Sequence, residues 1–127
     1  MENKWDEKKA LARVRQKILD RLDTAGKFVE DSAKLLVAVD TGNLRSSIHH
    51  VVNDQELSVR IGTPVEYGPY IEFGTGEFAE GGQGRKGGWF FTDAEGKTHF
   101  TLGNKPDPFL RPALLNNKGT IIRIMAL

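Results

Sequence analysis

The chain has 127 residues, 39% of them hydrophobic and 14 of them glycine, enough apolar material for one modest core with a large share of loop. Without cysteine there is neither a disulfide framework nor thiolate chemistry. The longest apolar run, residues 35–39, is far short of the ~20 residues a membrane-spanning helix needs. The N-terminus, Met1 to Glu7, is charged and lacks the apolar stretch of a signal peptide, so synthesis in the cytoplasm is expected. The net charge of +1 conceals three blocks. Residues 1–39 carry nine Lys/Arg against seven Asp/Glu (+2), residues 40–80 two against seven (−5), and residues 81–127 seven against three (+4). A duplex-DNA binder usually presents a strongly basic face. This layout suits either a subunit whose acidic part meets the basic part of a neighbour, or solvated charge of both signs.

The first element is a long helix over roughly residues 5–38. Leu11, Val14, Ile18, Leu22, Ala25, Val29, Ala33 and Leu36 recur three or four apart, the stripe of an amphipathic helix, and Lys9, Arg13, Lys17, Asp20 and Asp31 fill the other side. Gly26 costs about 1 kcal/mol relative to alanine in a helix interior and argues against one straight rod. At ~1.5 Å per residue the helix spans about 50 Å, more than so small a body can cover, so part of it is expected to pack on a neighbouring subunit. Asp40 or Thr41 is placed to cap a short turn of helix over Gly42 to Ser47. Two short strands follow: His49 to Asn53, then, after a polar turn, Leu57 to Gly62, with Leu57, Val59 and Ile61 alternating against Ser58 and a wet Arg60. Thr63-Pro64 ends that strand. A short helix beginning near Tyr67 carries Tyr67, Tyr70 and Phe73 on one side, and Gly74-Thr75-Gly76 stops it.

Residues 74–88 hold seven glycines around Arg85-Lys86, a density that predicts a mobile loop in the free subunit. A second hairpin, Trp89 to Thr92 and Lys97 to Leu102, turns at Asp93-Ala94-Glu95-Gly96. Pro106-Asp107-Pro108 then leads into a C-terminal helix with Leu110, Leu114, Ile121 and Met125 on one face. Gly119-Thr120 is a point where that helix can break, with a strand over Ile121 to Ile124 as the alternative.

No reaction centre assembles from these residues, so no catalytic, cofactor-binding or metal site is assigned. Gly82-Gln83-Gly84-Arg85-Lys86-Gly87 spells a dinucleotide fingerprint, but it lacks the preceding strand and following helix that such a site requires. Gly96-Lys97-Thr98 resembles the end of a phosphate loop, yet Phe91 stands where its first glycine belongs. His49 and His50, adjacent in a strand, point to opposite faces and cannot share an ion. Glu66 and Glu72 do not share a helix face, and Ser46 and Ser47 sit in no nucleophile elbow. Arg85-Lys86 ahead of Trp89-Phe90-Phe91 has the form of a single-strand nucleic-acid clamp. The competing reading is that these aromatics fill the hairpin's own core, faced by Lys97 and His99.

Three blocks carry a resemblance. Asp40-Thr41-Gly42-Asn43-Leu44-Arg45-Ser46-Ser47-Ile48, Ile61 through Gly76, and Lys105-Pro106-Asp107-Pro108-Phe109-Leu110-Arg111-Pro112-Ala113-Leu114 occur in an order that resembles the minor tail component of lambda-like siphophages. Proteins of that kind are described as neck, head–tail joining or tail-completion proteins. The matching residues are scaffold residues: Thr41 and Gly42 turn the chain, Leu44 anchors that turn, Tyr67, Tyr70 and Phe73 form the aromatic helix, and Pro108, Phe109 and Leu110 launch the last helix on a buried Phe109. The resemblance implies a job in assembly and no catalytic residues.

The resulting expectation is one α+β domain over residues 1–127. Its parts are a long helix (1–39), a turn, hairpin and short helix (40–73), the glycine loop (74–88), and a hairpin with the C-terminal helix packed on a small antiparallel sheet made from both hairpins (89–127). Copies are expected to join head-to-tail into a ring, with Arg85, Lys86, Trp89, Phe90, Glu72 and Glu77 facing the next copy or an adjoining connector or tail-tube protein. The site of action would be the virion's head–tail junction, after assembly in the bacterial cytoplasm. No cofactor and no membrane enter this reading, and a small nucleic-acid-binding protein using Arg85, Lys86 and Trp89 is its rival.

Overall fold

A computed structural model describes residues 4–37 and 42–126. The chain is α+β, as expected. Helix α1, Lys4–Leu36, is one uninterrupted rod. Its apolar stripe does two different things along its length. Ala25, Val29 and Ala33, four apart, are buried and continue into Val37, whereas every residue from Asp6 to Lys17 is exposed. The amino-terminal third therefore overhangs the body, with Leu11 69% and Val14 48% exposed. Helix α2, Gly42–Ser47, folds back against the buried part, and Leu44 and Ile48 are fully enclosed there. The expected caps Asp40 and Thr41 lie outside the described residues.

Gly26, expected to disturb the rod, is instead what lets a sheet approach it. Strands β1, His49–Asn53, and β2, Ser58–Gly62, pair antiparallel with Val51 opposite Arg60 and Val52 opposite Val59. A Cβ on Gly26 would lie 2.6 Å from Val59 Cγ2 and 2.9 Å from the His50 ring. The helix thus gives up about 1 kcal/mol of propensity for close helix–sheet contact. Strand β2 starts one residue later than the alternation predicts, because Leu57 takes a left-handed conformation (φ 51°) to close the turn. The Asn53 side-chain oxygen holds that turn by accepting the Gln55 and Glu56 amides.

The two histidines diverge as strand geometry requires: His49 is exposed, and His50 turns toward α1. His50 Nδ1 lies 2.9 Å from Glu30 and Nε2 2.8 Å from Asp23. The buried Glu30 also accepts from Lys27 and Lys34, each at 3.2 Å. Burial alone would push the Glu30 carboxyl up, but its bonds to His50, Lys34 and Lys27 outweigh that and hold it at about 2. The bond to Glu30 raises His50 above its usual 6.5, with burial opposing and Asp23 adding to the rise. The signs give a two-sided pH profile. The raised His50 contributes stability that is complete below 6.5 and fades as pH rises through its folded value. The depressed Glu30 contributes stability that is complete above 4.5 and fades as pH falls toward about 2. Thermal stability is therefore expected to be greatest between those limits, and His50→Gln should flatten the alkaline limb and, by removing the first of the bonds that depress Glu30, soften the acid limb as well. An unchanged alkaline limb in that variant would contradict the assignment.

Helix α3, Gly68–Phe73, begins one residue after the expected Tyr67, with Pro69 in its first turn. The glycine segment expected to lack fixed structure carries two 3₁₀ turns, Gly76–Phe78 and Glu80–Gly82. It is pinned to residues 102–104: the Thr75 amide donates to Asn104 O and the Glu77 amide to Leu102 O. Gly76 is required there, since it has φ 61° and any Cβ would strike the Leu102 carbonyl. Strands β3, Trp89–Thr92, and β4, Thr98–Thr101, form a second antiparallel pair. The hairpins do not merge into the single small sheet expected from sequence; each remains a separate two-stranded sheet.

The last segment forms two helices, α4, Leu110–Leu115, and α5, Lys118–Met125. The break falls at Asn116-Asn117 rather than at Gly119-Thr120, and residues 121–124 are helical rather than a strand. Both helices lie against α1, where the expectation had been the sheet. Arg21 fastens the end of α5 by donating to the Ile124 carbonyl at 3.0 Å. The core is where α1, α2 and α4 meet: Val29, Ala33, Val37, Leu44, Ile48, Phe109 and Ala113.

Candidate subunit interface

A second exposed apolar surface, beside the α1 overhang, is the β3–β4 hairpin. Asp93 builds its turn. One carboxylate oxygen accepts the amides of Glu95 and Lys97, the other meets His99 Nε2 at 2.7 Å, and Gly96 takes φ 84°. The His99 bond first, and then the backbone amides, hold the Asp93 carboxyl below its ordinary value. So braced, the hairpin presents an aromatic pair on each face. Phe90 and Phe100 lie opposite each other with centroids 5.1 Å apart, and Phe91 stacks on His99 at 5.2 Å. These rings do not fill a core. Phe90 is 73% exposed, Phe100 54% and Phe91 44%, which corrects the reading that the aromatics serve the hairpin's own interior.

At the base of the hairpin lies an open groove of about 470 Å³ bordered by Tyr70, Gly76, Glu80, Gly84, Arg85 and Trp89. The Arg85 guanidinium sits 5.3 Å from the Trp89 ring centre, within cation–π range. Glu77 accepts the Gly87 amide at 2.8 Å and so shapes the loop that carries Arg85 and Lys86. Tyr67, Tyr70 and Phe73, expected on one side of the middle helix, are 38%, 61% and 46% exposed and extend the apolar surface.

Of the six residues predicted to face a partner, the fold gathers Arg85, Lys86, Trp89, Phe90 and Glu77 around this loop and hairpin. Glu72 is the exception. It is buried, and its carboxylate is taken up inside the chain: Oε1 accepts the Phe109 and Leu110 amides at 2.8 Å each, and Oε2 accepts the Arg111 amide and Nε. Burial works against ionisation of Glu72, but the three amides and the guanidinium more than offset it and hold the carboxyl below its usual value. Arg111 continues outward to Glu80 at 2.8 and 3.1 Å and lies 4.7 Å from the Phe73 ring centre. One arginine thus ties the start of α4 to α3 and to the glycine segment. Sequence reasoning missed Arg111, although it stands two residues after the correctly buried Phe109. It also missed Phe100, for which its place in the expected return strand opposite Phe90 was the available signal, and it placed Phe91 only in the nucleic-acid reading. Leu44, Phe109 and Leu110 pack as expected of scaffold residues; Gly42 opens α2, Pro108 is half-buried, and Thr41 lies outside the described residues.

The literal glycine fingerprint of residues 82–87 runs from a 3₁₀ turn into strand β3, not from a strand into a helix. Among the described residues no group of three or more metal-ligating side chains comes together, and no helix is long and apolar enough to cross a membrane.

An α+β scaffold whose exposed chemistry is aromatic and loop-borne defines a binding or assembly protein more readily than a reaction vessel. Residues 6–74 match the family described as "Bacteriophage HK97-gp10, putative tail-component", and the chain belongs to that family. It is a phage tail component, as the three sequence blocks implied. Comparisons with curated proteins and with solved structures gave no significant match.

Proposed function

We propose that this chain is a structural subunit of the phage head–tail junction, a neck or tail-completion protein, that works by forming a ring of identical copies and seating it against a connector or tail-tube protein. The observation that carries this reading is the hairpin: four large apolar side chains, Phe90, Phe91, Phe100 and Leu102, stand 44–73% exposed on a turn that Asp93 and His99 brace. A braced hairpin spends little entropy on binding, so its apolar area converts efficiently into affinity. The overhanging third of α1 offers a second contact surface, and the acidic 40–80 and basic 81–127 regions supply electrostatic complementarity between neighbours. The role is assembly, with no catalytic step.

Light scattering of the purified protein, followed by electron microscopy of any assembly, tests this. Closed rings support it, and open filaments or a species that never associates alone or with its neighbours would count against it. Association that is indifferent to salt up to about 1 M would remove the charge component alone. The nucleic-acid alternative is weaker, because Arg85 already covers a face of Trp89 on which a base would stack.

A further inference from the structure

We propose that the knob and the socket of the ring contact are both on this chain: the Phe90–Phe100 face of the β3–β4 hairpin of one copy seats in the groove between β2 and α4 of the next. This rests on the self-assembly reading above and names its site. The groove measures about 300 Å³ and is lined by Val29, Val59, Ile61, Leu110, Arg111 and Leu114. Its floor is α1, its walls are β2 and α4, and all but one of its lining side chains are apolar. The outer edge of β2 pairs with no strand among the described residues, so its backbone groups stand ready for a neighbouring chain.

Charge selects a second copy as the occupant. Glu66 follows β2, and Lys86 and Lys97 stand on either side of β3; none of these three side chains has an ion-pair partner among the described residues, whereas Asp54, at the other end of β2, already takes the Arg15 guanidinium on its carbonyl. No acid lines the groove itself, and its one charged side chain, Arg111, is committed to Glu72 and Glu80. The Glu66 end of the socket, in the acidic block of residues 40–80, therefore complements the basic ends of the knob, in the basic block of residues 81–127, while the apolar centre of each matches the other. Knob and socket are different surfaces, so the contact is heterologous, and repetition of it yields a ring when the rotation closes.

The absence of cysteine makes the test direct. Phe90→Cys and Leu114→Cys replace side chains that are 73% and 51% exposed, so both variants should fold, as circular dichroism can check. Each is oxidised alone and after mixing, with Phe90→Cys plus Ile122→Cys as the random-collision control. A disulfide-linked heterodimer in the Phe90→Cys and Leu114→Cys mixture, several-fold above that control and above either homodimer, is expected, and the double variant should give a ladder of higher species. Leu114→Glu should weaken self-association of the otherwise native chain at least tenfold. Predominant Phe90→Cys homodimers, or cross-linking no better than the control, overturns the docking site. Light scattering separates the causes: if the native protein assembles without the Phe90–Leu114 link, only this site is wrong, whereas a native chain that never self-associates removes the self-assembly reading with it.

Discussion

Phe109→Ala should cost about 3–5 kcal/mol of folding stability, the largest single loss expected from truncating a side chain in this molecule. Phe109 is the bulkiest of the fully enclosed residues and lies where α1, α2 and α4 meet. It shares that core with Val29, Ala33, Val37, Leu44, Ile48 and Ala113, of which the two alanines have no side-chain length with which to fill the space. For a domain of this size the loss corresponds to a fall in Tm on the order of 10–20 °C, and against a total stability of about 5–15 kcal/mol it leaves the variant near the edge of folding. Phe109→Leu keeps most of the volume and should cost less than half as much. Urea titration measures both. A loss below about 1 kcal/mol for the alanine variant would mean that the core is not where the structure has it.

Glu72→Ala should be nearly as damaging, at about 3–5 kcal/mol, for a different reason. The carboxylate is the common acceptor for the amides of residues 109–111 and for the Arg111 guanidinium. Removing it strands those donors at the entry to α4, where an unsatisfied buried group carries its full desolvation cost. Glu72→Gln keeps one oxygen acceptor and should lose less. Because the Glu72 carboxyl is held below 4.5, its contribution is present above that pH and declines as the solution is acidified past it. The native protein should therefore lose stability in acid more steeply than Glu72→Ala does. The loss should also be local: with one of its two carboxylates gone, Arg111 is held less firmly against Glu80, and residues 74–88 should become more open to proteolysis. Equal protease resistance in the variant would contradict the latch.

The same position shows what a sequence can and cannot disclose. The elements were legible because periodicity records them directly: the stripe from Leu11 to Leu36 gave α1, and Val59 with Ile61 gave β2. Phe109 and Leu44 were legible as core because an apolar residue beside a helix start has few other uses. Glu72 was not, since a carboxylate among exposed aromatics reads as a surface acid until the chain brings residues 109–111 over it, 37 to 39 positions later. Gly26 misled for a related reason. Its cost is local and visible, whereas its benefit, contact with Val59 and His50, depends on tertiary approach. The interface residues were partly legible: Arg85, Trp89 and Phe90 stood out by clustering, but whether the aromatics faced inward or outward depended on whether the two hairpins joined. They remain separate sheets, and that left both faces of the second hairpin without a covering layer.

On the proposed function, the exposed hairpin joins head to tail through protein contacts. Electron microscopy of particles from the phage encoding this chain, with its gene deleted and then supplied in trans as the native or the Phe90→Glu form, tests it most directly. Filled heads and finished tails that accumulate unjoined, rescued by the native chain and not by Phe90→Glu, are the predicted result. Intact, infectious particles in the absence of the chain, or full rescue by Phe90→Glu, would contradict it.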